Sequence, residues 1–437
     1  MTFEYANSNT SSQRVAFIFF YGIIVLLCCF QTSVECQTIT GSISGAVRDE
    51  SDSFISRVSI LAENIQTGST RFLRSDQNGY YRLSGLNAGL YTLKLEQEGF
   101  QTLIRDEIEL AHGQDLILDL VLFVGQPSSE ITVFGQTPLV GSNNSQLGGW
   151  IGASQVDKLP LNGRNVFDLS LLQVGVNPFP QRPAGGSAPL LNHGTWFSIN
   201  GASARSNSFL LDGIPVNDPT VASTGSIVGA SLGMEAIREF QVLTNTYSAE
   251  HGRVAGGIVN AVTRGGENNF HGSLFEYHRN KSLDARNFFD PAQKPNFVRN
   301  QFGGSLGGPI KRDRTFFFTT TEVLRERLGV TTISPVPSAA IRAGTVNAKV
   351  KPYLDLFPEA NVAGSVSQHS FTANQPTNSI FHRSRFDHLL EEGKSVFATY
   401  SIEVADRIKP SSYPSFSQKS QSRNQYLTLE GSFMLSP

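Results

Sequence analysis

Residues Gln425 to Phe433 alternate one by one: Leu427, Leu429 and Phe433 share one face, and Thr428, Glu430 and Ser432 share the other. Successive side chains of a strand point to opposite sides, so such a run offers lipid to one side and water to the other. The same period recurs upstream. Within Phe270 to Arg279, Phe275 and Tyr277 oppose Glu276 and His278. Within Ser395 to Glu403, Val396, Ala398, Tyr400 and Ile402 oppose Thr399, Ser401 and Glu403, and Phe381 to Leu390 is set to pair with this run across the turn around Gly393. Arg299 to Ile310 and Arg314 to Glu326 are rich in Gly and Phe. Phe316-Phe-Phe318 carries aromatics on both faces, so pattern leaves its orientation open.

Composition agrees with β-structure of this kind. Charged residues make up 16% of the 437, below the roughly 25% of soluble domains, while Gly (40) and Phe (31) are abundant. A net charge of −2 supplies no basic field for nucleic acid. Near the start, Arg14 precedes the apolar run Val15 to Phe30 and then Val34-Glu-Cys36. One positive charge, a run short of a bilayer span, and small residues at a cut site predict a signal peptide over residues 1–36. The chain's three cysteines, Cys28, Cys29 and Cys36, would leave with it, which excludes a disulfide framework or a cysteine metal site in the mature chain.

Residues 41–124 hold short apolar runs between turn signals: Ile43 to Val47, Val58 to Leu61, Thr70 to Leu73, Tyr80 to Leu83, Leu90 to Leu95 and Leu116 to Val124. Asp76-Gln-Asn-Gly79 and Asn87-Ala-Gly89 sit where hairpins need an Asx turn or positive φ, and the spacing predicts a β-sandwich. Gly45-x-Val47-x-Asp49, Asp76-x-x-Gly79-Tyr80-Tyr81, Gly89-x-Tyr91-x-Leu93 and Gly99-Phe100 resemble the carboxypeptidase regulatory-like domain. That resemblance implies a transthyretin-like sandwich of about seven strands, structural or sugar-contacting. Asp49-Glu-Ser-Asp-Ser lacks the glycine usual after the first strand. His112 is the segment's only histidine and is expected on the solvated surface.

Residues 125–150 form a linker by their Gly, Pro, Ser and Asn content. Inside it Glu130-Ile131-Thr132-Val133-Phe134 is a β-prone pentapeptide able to add itself to another protein's sheet. At this position it resembles the TonB box of outer-membrane receptors; a last sandwich strand or a plain linker is the alternative.

Residues 151–268 carry six motifs in order. They are Leu159-Pro-Leu-Asn-Gly-Arg-Asn-Val-Phe-Asp168, Ser198-Ile-Asn200-Gly201, Ser206-Asn-Ser-Phe-Leu-Leu-Asp212-Gly213-Ile-Pro215, Ala236-Ile-Arg-Glu-Phe-Gln-Val242, Tyr247-Ser-Ala-Glu-His-Gly252-Arg253 and Gly256-Gly257-Ile-Val-Asn260-Ala-Val-Thr-Arg264. Asp212-Gly213 reads as a tight turn after strand Phe209 to Leu211. Ala236 to Val242 reads as a helix end passing into a strand. Gly256-Gly257 reads as a close backbone approach before strand Ile258 to Val262. The set resembles the plug of TonB-dependent receptors, in the Oar-like group that carries a regulatory-like domain in front, and Arg299-Asn-Gln-Phe-Gly-Gly-Ser-Leu-Gly-Gly-Pro309 resembles that group's barrel start.

The expected fold is therefore mainly β: signal peptide, transthyretin-like sandwich, an α+β plug over 151–268, and the first strands of an incomplete transmembrane barrel over 269–437. Roughly six strands are legible, where such a barrel needs about 22, and open edges cost several kcal/mol per unpaired group in hydrocarbon. The expectation is the N-terminal part of a receptor, as a fragment, a split gene or a frameshifted remnant, and incompetent for transport by itself. The resemblance implies a bacterial outer-membrane location, contact with lipid, TonB and its inner-membrane energising complex as partners, and an extracellular glycan, siderophore, cobalamin or peptide as ligand. A barrel-anchored adhesin that binds carbohydrate is the rival. No zinc helix, nucleophile elbow or phosphate loop occurs, so neither enzyme nor cofactor is expected. His271, His278, His382 and His388 are read as lumen or interface residues rather than metal ligands.

Overall fold

The computed structural model describes residues 40–433, apart from 127–128, 135–146, 160, 162, 180–193, 219–222, 230–231, 248–253, 287, 289, 291, 345–346 and 391–393. The expected signal segment lies outside the described residues.

The first region consists of β1 (Gly41–Asp49), β2 (Ser59–Asn64), β3 (Thr70–Arg74), β4 (Tyr80–Leu86), β5 (Gly89–Glu96), β6 (Thr102–Leu110), β7 (Asp115–Ile117), β8 (Leu120–Leu122) and β9 (Glu130–Phe134). One sheet runs β4-β1-β7 with β8 also on β1, and the other runs β3-β2-β5-β6-β9. Inward-facing Ile43, Val47, Ile60, Tyr81, Leu93 and Leu95 fill the space between them. Three features depart from the sequence reading. Strand β6 was absent from it, because a kink at Glu107 (φ 57°) shifts the buried phase from Leu103 to Ile108 and Leu110. The run Leu116 to Val124 is two strands rather than one. Between them Leu118 N–H donates to the Ser44 carbonyl at 2.7 Å and Ala46 N–H to Asp119 Oδ1 at 2.8 Å. Finally, the turn after β1 manages without glycine: Asp49 Oδ1 accepts from the backbone N–H groups of Ser51 and Ser53 at 2.8 and 2.9 Å, an Asx turn.

The second region comprises β10 (Leu147–Ile151), α1 (Ala153–Lys158), a 3-10 turn over Val166–Leu172, β11 (Val176–Pro178), β12 (Phe197–Ile199), β13 (Ser208–Leu211), β14 (Ile214–Pro215), β15 (Ile237–Asn245) and β16 (Ile258–Thr263). Its main sheet is ordered β10-β15-β16-β13-β14. Strand β16 is central, pairing parallel with β13 and antiparallel with β15, and all six of its residues are buried. Phe167, Phe197, Phe209 and Phe240 meet edge to face around it, with centroids 5.2–6.1 Å apart. A short 3-10 turn, Met234–Ala236, leads into β15.

The third region is a meander of six antiparallel strands in sequential order: β17 (His271–Asn280), β18 (Phe297–Lys311), β19 (Thr315–Pro335), β20 (Gln368–Leu389), β21 (Lys394–Pro410) and β22 (Ser417–Phe433). Leu274, Phe302, Leu306, Phe386, Leu427 and Leu429 stand exposed on its outer face. Gln301, Thr320, Glu322, Ser379, Arg383 and Glu403 are buried on its inner face. Apolar outside and polar inside is the signature of a membrane-spanning wall. Phe316 and Phe318 both point inward and are 1% exposed, which settles the orientation left open by their triplet.

Candidate functional site

The plug motifs fold into three tight structures. Asp212 (φ 51°) and Gly213 (φ 80°) form the two-residue hairpin between β13 and β14, where Pro215 pairs with Leu210. Two consecutive positive φ values are what such a hairpin requires, and Asn260 Oδ1 on β16 accepts from Gly213 N–H at 3.2 Å. Asn200 (φ 50°) and Gly201 (φ 76°) turn the chain after β12, and Asn200 Nδ2 donates to the Thr244 carbonyl at 2.7 Å. At Gly256 and Gly257 a Cβ would lie 2.4 Å from Asn207 Oδ1 and from Ile199 Cδ1 respectively, so a side chain there would displace those buried side chains. Gly252 and Arg253 lie outside the described residues.

The turn at Asp212 does more than close a hairpin. It carries the Asp212 carboxylate against the inner face of the wall. Thr263 on β16 donates to it from N–H at 2.8 Å and from Oγ1 at 2.9 Å. Arg383 of β20, fully buried, donates Nη2 to Asp212 Oδ2 and to Thr263 Oγ1, each at 2.8 Å. Arg385, two residues on and therefore on the same face, reaches Thr263 Oγ1 at 3.1 Å and clamps Asp387. Burial raises the Asp212 pKa, but the Arg383 and Arg385 guanidinium groups and the Thr263 donors outweigh it and hold the carboxyl below its ordinary range.

Further polar contacts join plug and wall, among them Ser273 to Glu235 at 2.7 Å. Arg164 pairs with Glu235 at 3.1 Å and with Glu322 of β19 at 3.4 Å, and its guanidinium lies 4.1 Å over the Phe275 ring of β17. Beside it a cavity of about 880 Å³ is lined by Arg164, Arg264, Tyr277, Arg299 and Gln301, among others. Glu403 of β21 accepts from Ser226 at 2.8 Å and from Asn424 at 2.9 Å. Apolar contacts supplement these, since Phe381 of β20 belongs to the plug's core and Tyr426 of β22 packs against it. Sequence reasoning named Asp212 but not Arg164, Thr263, Arg383, Arg385 or Glu403 as site residues. A signal existed: Arg383, Arg385 and Asp387 alternate along one face of β20.

The sandwich also touches the plug. Arg238 of β15 donates to the Ala88 carbonyl at 3.0 Å, Gln66 to Glu267 at 2.6 Å, and His112 N–H to Glu239 Oε1 at 2.7 Å. His112 is therefore a junction residue, not the solvated surface histidine expected. Burial lowers its imidazole pKa and pushes the Glu239 carboxyl up to about 7. The pentapeptide Glu130 to Phe134 is strand β9. It pairs parallel with β6 from Thr102↔Glu130 to Asp106↔Phe134, and Ile131 and Val133 pack against the sandwich core.

His271, His278, His382 and His388 each take a local partner: Asn269 O, Asn300, Thr321 and Thr315. Among the described residues no three His, Cys, Asp or Glu side chains are gathered to hold a metal.

A wall with lipid-facing apolar residues, carrying a small separately cored domain on its polar face, defines the class of plugged outer-membrane barrel proteins. Comparison with known families agrees. The Carboxypeptidase regulatory-like domain matches residues 42–123, the TonB-dependent Receptor Plug Domain residues 153–259, and the Outer membrane beta barrel domain residues 262–437. The TonB-dependent transporter Oar of Myxococcus xanthus is 28% identical over 272 residues, which cover 60% of this chain and 24% of the relative. Among solved structures, the outer-membrane transporter YddB of Escherichia coli aligns with TM-score 0.46 at 14% identity, covering 66% of this chain and 37% of that one. The siderophore receptor PirA of Acinetobacter baumannii aligns with TM-score 0.36 at 15% identity, covering 65% and 44%. The chain thus spans about a quarter of the length of its curated relative. Its three matched domains are those of the TonB-dependent receptors, which places the chain with proteins of the bacterial outer membrane; Oar is a protein it is similar to.

Proposed function

We propose that this chain supplies the plug, its force-bearing leader and wall strands of an energised importer. Glu130 to Phe134 are the segment on which TonB pulls, driven by its inner-membrane complex. The ligand, too large or too scarce for simple diffusion, is a siderophore, cobalamin, glycan or peptide that meets the outer face of plug and wall. The protein acts mechanically, so no catalytic residue and no cofactor is needed.

The observation that carries this reading is the Asp212–Arg383 contact at 2.8 Å. A permanent stopper would be sealed by apolar packing. Here the main fastenings are charge-assisted hydrogen bonds, which are strong while dry and lose most of their advantage once water reaches them. A plug fastened this way is firm at rest and separable under load. Asn200, Gly201, Pro215, Gly256, Gly257 and Asn260 then serve the plug's shape, while Asp212 and Gly213 set the fastening itself.

Deleting residues 130–134 in the producing bacterium tests the reading. Ligand uptake is expected to collapse while the protein still reaches the outer membrane. Uptake that is unchanged, with carbohydrate attachment lost on removing residues 41–124, would favour the adhesin instead.

A further inference from the structure

We infer that the sandwich holds the TonB-contacting strand on its own sheet edge, so that TonB must compete with β6 for it. This rests on the reading of residues 130–134 as the TonB contact. The register is specific: five consecutive pairs run from Thr102↔Glu130 to Asp106↔Phe134, and the Thr102 N–H donates to the Ser129 carbonyl at 3.0 Å just ahead of them. Just past the last of these pairs, Glu107 of β6 has φ 57°.

Side chains argue the same way. Ile131 and Val133 pack against the sandwich core, whereas Thr132 is exposed. A partner that adds a strand takes affinity from the backbone ladder and specificity from alternate side chains. The apolar pair it would read faces the sandwich, and one edge of the ladder is already occupied by β6. The sandwich is itself fastened to the plug through Arg238–Ala88 and Gln66–Glu267, so the storage place is fixed close to the element that is to be pulled. Apparent affinity falls in proportion to the fraction of time the strand is released. Any event that loosens β9 from β6 therefore recruits TonB without creating a new contact.

The test uses the full chain in detergent with Cys28, Cys29 and Cys36 changed to Ser, carrying Ile104→Cys and Thr132→Cys, a pair opposed across the ladder. Oxidation is expected to crosslink the two strands. The TonB C-terminal domain should then bind the reduced protein at least ten times more tightly than the oxidised one, and a free peptide of residues 128–136 at least ten times more tightly than the unmodified chain. The reduced form of the same molecule controls for folding. Failure of the crosslink to form, or equal affinity of oxidised and reduced protein while the peptide binds, would overturn the competition and leave the docking segment intact. If neither peptide nor reduced chain binds, the docking segment itself is misplaced and the inference falls with it.

Discussion

The plug and the wall solve opposite solvation problems with similar strands. In the plug, β16 buries every residue among Phe167, Phe209 and Phe240, because water surrounds a domain that must exclude it. In the wall, β21 buries Thr399, Ser401 and Glu403 and exposes Tyr400 and Val404, because hydrocarbon surrounds it. Where the two meet, the wall offers mostly polar groups, with Phe381 and Tyr426 as apolar exceptions. The plug answers with Asp212, Arg164 and Ser226. An inverted wall thus meets its plug largely through polar contacts.

The sharpest break of this comparison is Phe209→Ala, which opens a cavity in the plug core and is expected to cost about 3–5 kcal/mol of plug stability, measured by denaturant unfolding. Arg383→Ala should cost a similar or slightly smaller amount, about 3–5 kcal/mol, by taking from the buried Asp212 carboxylate its nearest cation and leaving only Arg385 at 3.9 Å. The double change Asp212→Leu, Arg383→Met should recover most of that loss. If the double variant is no more stable than the single one, charge pairing is not what fastens the plug.

Glu239 offers a pH test at the sandwich–plug junction. Its carboxyl is raised to about 7 in the folded protein from 4.5, so the native state holds more protons than the unfolded one between those values. Stability contributed here is therefore full at pH 4.5 and falls as pH rises through 7, by up to about 3 kcal/mol. His112, lowered by burial, works in the opposite sense below its ordinary 6.5. The informative quantity is thus the difference between the wild type and Glu239→Gln, whose pH profile should be flatter across that window. Parallel profiles would show that Glu239 is not titrating there.

A substitution of comparable effect sharpens the wall side. Leu429→Arg places a charge on the outer face at a position 73% exposed and should cost about 2–4 kcal/mol of stability in bilayers. Thr428→Arg, one residue away on the inner face, should cost well under half of that. Equal costs would mean that β22 does not face lipid.

How much was legible follows from what each element depends on. Wall strands declared themselves because a two-faced environment imposes strict alternation, as in Leu427 to Phe433. The plug's turns declared themselves through Asp212-Gly213 and Gly256-Gly257, where backbone geometry restricts residue choice. Strand β6 was hidden by its own bulge, which shifts the phase on which alternation is read. His112 was misjudged because what covers a surface residue is another domain, not its neighbours in sequence. Glu130 to Phe134 read as extended, with docking segment, last sandwich strand and linker all open; pairing with β6 puts it on the sandwich edge.

Periodicity and turn chemistry are local, so the chain alone determined most of the strands and the order of its three regions. The lipid-facing side followed from the pattern in β22, but not in β17, whose Phe275 and Tyr277 face the plug, nor at Phe316 and Phe318. Which charge meets which did not follow from it. Asp212 and Arg383 stand 171 residues apart, and only the packing of the plug against the wall brings them within hydrogen-bond reach. A hydrogen bond depends on distance and angle in space, and these come into being only once both sheets have formed and docked.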